Sequence, residues 1–347
     1  MKKKNGFIAI SLIYSFFLCF IMIMMGLLAN YTHSKLILSK INKPLTYLSD
    51  NTLSGRILKE NNIQTLPPDF TKGEPASSGT NTGSGLYSAE DDDGITYYFR
   101  GDVSNNYVKL DGSSIIWRIV RINGDKTIRL ISETSLSSAY TENISGLKYV
   151  GYTYDNDHVC TKANPCTAST GTSSTIKTNL ESWYNTNLSN YDSIIAYGKY
   201  CNDTSYYSKD ASVVWYNGNT RNTNGTATLK CQNSDLTYGG TYKLKVGMIT
   251  YDEMNYGGIG TTTPSSSDNY LYNKNTWMMT PRYSDTRYSD TGVASMFYSD
   301  NGKFSNTGDS NTAKNIYPVI NLKSNVKISG GDGTSSNPYL IENVNNQ

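Results

Sequence analysis

The sequence predicts an α+β protein in which a long N-terminal transmembrane and stalk helix precedes a mixed head rich in short antiparallel strands. Three observations predict it. Residues 7–34 contain no Lys, Arg, Asp or Glu, and residues 64–85 are dominated by Pro, Gly, Ser and Thr. From residue 86 onward, short apolar runs alternate with polar residues and are punctuated by Asp-Gly and Asn-Gly pairs, the pattern of hairpins.

The first element is the apolar run at 7–29. As a helix it rises about 35 Å, enough to cross a bilayer core of about 30 Å. A secretory signal has an apolar core of only about 7–15 residues, and no small-x-small cleavage site follows this one. Lys2, Lys3 and Lys4 precede the run, so the N-terminus is expected in the cytoplasm and the remainder outside, as a single-pass protein of the cell membrane. Leu38, Ile41, Leu45 and Leu48 continue at helical spacing. They predict an amphipathic stalk helix over 30–63, kinked or restarted at Pro44. Residues 64–85 are then a linker, and residues 86–347 the head.

Within the head, "EDDDG" is a polar turn leading into the alternating run "ITYYFRG". Residues 115–132 form two β runs joined through Asn123 and Gly124. A helix is expected across 173–191, with Ile176, Leu180, Trp183 and Leu188 on or near one face. Thr250 and Glu253 have the spacing of a capping box at the start of a short helix. Asn301 and Gly302 mark another hairpin. Many short strands with one or two helices make the head α+β.

The formal charge is +2 and only 17% of residues are charged, against about 25% in a typical protein. With no basic stripe, nucleic acid is not an expected partner. There are 29 Tyr but 8 Phe, so the surface hydrogen-bonds and stacks while carrying little charge. Cys19 lies in the apolar run. Cys160, Cys166, Cys201 and Cys231 lie beyond it, an even number that suggests two disulfides downstream of an export signal. Of the three possible pairings, the local one (Cys160 with Cys166, Cys201 with Cys231) is the simplest.

The start "KKKNGF" followed by a long apolar segment resembles the N-terminus of type IV prepilins and pseudopilins. That resemblance implies cleavage between Gly6 and Phe7 by a prepilin peptidase and N-methylation of Phe7. It also implies assembly with other pilin subunits. Ser11 stands at the fifth mature position, where major pilins carry Glu; some minor pilins and pseudopilins lack it too. The head resembles an extracellular bacterial domain related to the C-type-lectin-like fold of formylglycine-generating enzymes. Gly85 to Tyr87, Asp91 to Gly94, Tyr97 to Val103, Trp117 to Asp125, Trp277 to Pro281 and Tyr317 to Lys323 carry that likeness. Together the two resemblances imply a minor pilin or pseudopilin displaying an adhesive head for an unknown surface ligand. The alternative is an anchored surface binding protein outside any filament.

No catalytic motif is present: GxSxG, HExxH and GxxxxGK[ST] are all missing. His33 adjoins the apolar run and His158 lies in a polar loop. No enzyme activity, cofactor or metal is expected. The acidic turn at Asp91 to Asp93 lacks the EF-hand order, and a structural turn is the simpler reading. Finally, "RYSDTRYSDT" repeats five residues in an expected exposed loop. Arg282, Tyr283, Arg287 and Tyr288 there have the residue types of a contact surface.

Overall fold

Short apolar runs bounded by turn residues become strands through most of the described chain. The computed structural model describes residues 49–76, 83–136, 153–154, 172–203, 205–209, 213–231, 241–285, 293–305 and 314–343. The chain separates into two units, Met1–Leu48 and Ser49–Gln347. The first, with the expected leader, membrane segment and upper stalk, lies outside the described residues.

The α+β expectation is corrected by what the second unit contains: strands predominate. The α-helices among the described residues are short: α1 (Leu53–Glu60), α2 (Thr175–Asn187), α3 (Asn217–Asn224) and α4 (Tyr251–Tyr256). No helix among them is long and apolar enough to cross a membrane. The expected long N-terminal helix ahead of a mixed C-type-lectin-like head is therefore not the architecture of the described chain.

Strands β1 (Gly85–Asp91), β2 (Gly94–Arg100), β3 (Tyr107–Leu110), β4 (Ile116–Ile122) and β5 (Ile128–Ser132) come first. The short strands β6 (Thr153–Tyr154), β7 (Thr172–Ser173) and β8 (Ile195–Ala196) follow, then β9 (Gly198–Cys201), β10 (Tyr206–Lys209), β11 (Val213–Tyr216), β12 (Thr241–Leu244) and β13 (Val246–Gly247). The chain continues through β14 (Trp277–Asp285), β15 (Val293–Asp300), β16 (Lys303–Ser305), β17 (Val319–Leu322), β18 (Ile328–Gly330) and β19 (Tyr339–Ile341). A ten-stranded sheet runs β13-β17-β5-β4-β3-β19-β18, with β2 joining β1 to β4 and β8 beside β17. A second sheet runs β10-β11-β14-β15-β16. Among the described strands, each ladder is antiparallel except that of β19 with β3. Trp117, Ile119, Leu130, Ile131, Met254, Trp277 and Phe297 are fully buried in one continuous core.

The lower part of the expected stalk belongs to this core. Thr52 leaves the helical region and caps α1, its Oγ1 accepting from Gly55 N at 3.2 Å. Leu53 and Ile57 are then driven into the core rather than along a stalk. The expected linker is likewise a packed strap over residues 64–76. Gln64 N donates to Leu86 O (2.8 Å), Gly73 N to Thr263 O (2.8 Å) and Glu74 N to Gly258 O (2.9 Å). Arg100 explains why: its guanidinium is buried and donates to the carbonyls of Asn255, Tyr256, Asp69 and Lys72 at 2.6–3.1 Å. A buried cation requires such acceptors, and the strap supplies two of them.

The hairpin turns show two different uses of glycine. Asn301 (φ 45°) and Gly302 (φ 79°) form a two-residue turn with both central residues left-handed, the type I′ geometry. Between β4 and β5 the left-handed residue is Lys126 (φ 71°), not Gly124. Gly124 is needed for close approach: its N–H donates to Asp91 Oδ2 at 2.8 Å, and a Cβ there would stand 2.2 Å from Asp91 Oδ1. Gly124→Ala should destabilise the protein by about 1–3 kcal/mol, as overpacking does, measured as a lowered urea midpoint. An unchanged midpoint would contradict the assignment.

Candidate functional site

The densest cluster of chemistry begins with an irregularity in β4. Pairing with β5 skips Val120, so Ile119 faces Leu130 and Arg121 faces Arg129 directly. Such a bulge rotates the residues after it, and Arg121 consequently shares a face with Arg118. Two cations directly opposite repel. Glu253 resolves this: its Oε1 accepts from Arg121 Nε at 3.1 Å and also from Arg129. All three side chains are at least nine-tenths buried.

Glu253 has a second task. It is the third residue of α4, and its Oε2 accepts from Thr250 N at 3.1 Å while Thr250 Oγ1 accepts from Glu253 N at 3.1 Å. This is the capping box that the spacing predicts. Burial opposes the charge of Glu253, yet Arg129 and Arg121 outweigh it and hold the carboxyl below its ordinary range.

A second buried cluster adjoins the first. Arg221, near the end of α3, grips Asp252 with two parallel bonds of 2.9 Å and also reaches Asp203. Burial works against the guanidinium, but the two carboxylates raise its pKa. Asp203 is itself left-handed, with φ 41°. On the other side, Arg121 bonds Asp91 at 2.7 Å, and Lys199 bonds Asp93 at 2.5 Å. Asp92 accepts from Cys231 N at 3.1 Å. These groups surround a cavity of about 50 Å³ with the disulfide at its edge.

The site is thus a set of matched charges. The acidic turn spends its three aspartates on Arg121, a backbone amide and Lys199. Among the described residues no group of three or more His, Cys, Asp or Glu is arranged to hold a metal ion. The arrangement locks β1, β4, β5, α3 and α4 to one another; buried charge that is fully paired specifies geometry more than it adds stability.

Of the residues singled out in the sequence, Cys201 and Cys231 form a disulfide with Cα atoms 5.7 Å apart. Cys160, Cys166, Gly6, Phe7, Arg287 and Tyr288 lie outside the described residues. Arg282 and Tyr283 lie in strand β14 rather than in a loop. The Arg282 guanidinium carbon stands 5.7 Å from the Trp215 ring centre and 5.2 Å from that of Tyr283. The two rings are 5.0 Å apart. Trp215, on the neighbouring strand β11, completes this patch and carries no signal in the sequence that would join it to Arg282. Compared with models of protein families, with curated proteins and with solved structures, the chain matches none.

Proposed function

We propose that the protein is a minor pilin or pseudopilin that displays a binding head at the cell surface. One sequence feature carries this reading: the basic Lys2 to Lys4, then Gly6 and Phe7, then an apolar run to residue 29. The Cys201–Cys231 disulfide supports it, because such bonds persist in oxidising, exported locations. The head acts by non-covalent contact, with no reaction assigned to it: the cations and carboxylates around the central cavity are matched with one another. Its partners are then the membrane, sister pilin subunits, the prepilin peptidase and a surface ligand.

Ser11 favours a second reading, an anchored surface binding protein outside any filament. A Glu at that position is the group thought to pair with a neighbour's terminal amine, and it is missing here. Mass measurement and N-terminal sequencing of the mature protein from host membranes separate the two. A chain beginning at N-methylated Phe7 is expected for the pilin. A chain retaining Met1 sinks that reading and leaves the anchored protein.

A further inference from the structure

Away from the charged cluster, a groove of about 430 Å³ opens between α2 and the β12–β13 segment. That lies within the range of small-molecule sites, about 300–1,000 Å³. Three features of its lining bear on what it takes.

The first is Tyr197, between β8 and β9. It is 66% exposed, among the most exposed large apolar side chains of the described residues. Lys245 Nζ stands 4.7 Å from the ring centre and is anchored to Ile195 O at 2.8 Å. The ring therefore offers a flat, solvent-facing surface with the lysine ammonium set against it.

The second is Asp192, just beyond the C-terminal end of α2. Its Oδ1 accepts from the Tyr184 hydroxyl and lies 3.4 Å from Lys245 Nζ. The Tyr184 bond, followed by Lys245, keeps the carboxyl below its ordinary range, so it is ionised at neutral pH and acts only as an acceptor. Both anchors use Oδ1, and the side chain remains 57% exposed, so the carboxylate is tethered while still open to solvent. Asn185, on the facing side of α2, adds an exposed amide that both donates and accepts.

The third is charge. The groove is lined by Glu181 and Asp192 against Lys243 and Lys245, two of each sign. A charged ligand gains nothing net from such a lining. A neutral ligand with one apolar face and several hydroxyls uses all of it.

We propose that this groove binds a neutral saccharide, with one pyranose face stacked on Tyr197 and ring hydroxyls bonded to Asp192 and Asn185. No metal ion enters this contact. The inference deepens the surface-display reading, on which its biological role rests. N-terminal processing tests that reading and sugar binding tests this one, so either fails alone.

The experiment is saturation-transfer NMR on the full chain, solubilised in a detergent without a sugar headgroup. Its probes are methyl β-D-glucopyranoside, methyl β-D-galactopyranoside and methyl α-D-mannopyranoside at millimolar concentration, with triglycine as a neutral non-sugar control. At least one glycoside should receive saturation through its ring C–H protons, and triglycine none. Tyr197→Ala should weaken that binding by about tenfold or more, the loss expected for a central aromatic anchor. Tyr197→Phe, which keeps the ring, should bind within about twofold of the wild type, since the hydroxyl carries no part of the stacking. Tyr207→Ala, at another exposed tyrosine outside the groove, should change nothing. Absence of binding by all three glycosides, unchanged binding in Tyr197→Ala, or preference for triglycine would overturn the proposal.

Discussion

Glu253→Ala is expected to destabilise the protein by about 3–5 kcal/mol, the cost of removing one partner from a buried ion pair. The direct loss is small beside the consequence. Arg121 and Arg129 face one another across two adjacent strands, and without the carboxylate they remain buried, close and of like sign. The cap of α4 loses its reciprocal bond to Thr250 N at the same time. Urea unfolding followed by circular dichroism measures the effect. A loss below about 1 kcal/mol, typical of exposed pairs, would show that the cluster does not act as described. Replacing the two arginines as well would not recover the loss, because Asp91, bonded to Arg121 at 2.7 Å, would then be left buried without its cation.

The same residue predicts a pH dependence. The folded-state pKa of Glu253 is depressed below its unfolded value of about 4.3. Its contribution is therefore fully present above that value and is lost as the pH falls through the folded pKa. The gap in stability between wild type and Glu253→Ala should be constant at neutral pH and shrink in acid. A gap that widens in acid would reverse the assigned sign.

Second in size is the disulfide. Cys201 and Cys231 enclose a 30-residue separation holding β10, β11 and α3. On the chain-entropy model its closure contributes about 3–4 kcal/mol. The double variant Cys201→Ser with Cys231→Ser should lower stability by that amount and isolates this bond from the other cysteines, which a reductant would also reach. Equal urea midpoints for the variant and the wild type would mean that the loop is held by its other contacts. The losses from Glu253→Ala and from the double serine variant should not simply add. Both act on groups around one cavity, and neighbours in a shared network couple.

Turns and caps were legible in the sequence because their chemistry is local. Asn301 and Gly302 turn the chain as that pair does elsewhere, and Thr250 caps α4 with Glu253 three residues on. The charged cluster was not legible, and Val120 is the reason. Simple alternation along "WRIVRI" puts Arg118 and Arg121 on opposite faces, and only the skipped pairing at Val120 turns Arg121 toward Arg129. Nor does anything near residue 253 announce partners from strands more than a hundred positions earlier. The expected linker differs from the packed strap at 64–76 for a related reason. It is held through backbone carbonyls bound to Arg100, and a carbonyl is the same whatever side chain it carries. Composition thus suggested a linker where the fold has a fastening. The α+β expectation gives helices too much weight: strands predominate among the described residues, and at the lower end of the expected stalk Thr52 caps a short helix whose Leu53 and Ile57 turn into the core.

The entry and exit of the described head lie side by side. Leu53 N donates to Val326 O, Ile328 N to Asn51 O, and Glu342 N to Lys327 O, at 3.1–3.3 Å. Tyr339 Oη also donates to Glu60, at 2.6 Å. Any traction on the chain ahead of Ser49 would thus meet the core helix α1 and the β18–β19 hairpin at once. A tug of that kind would be borne by the fold itself, with the bonds between residues 51–53 and 326–328 nearest the point of load.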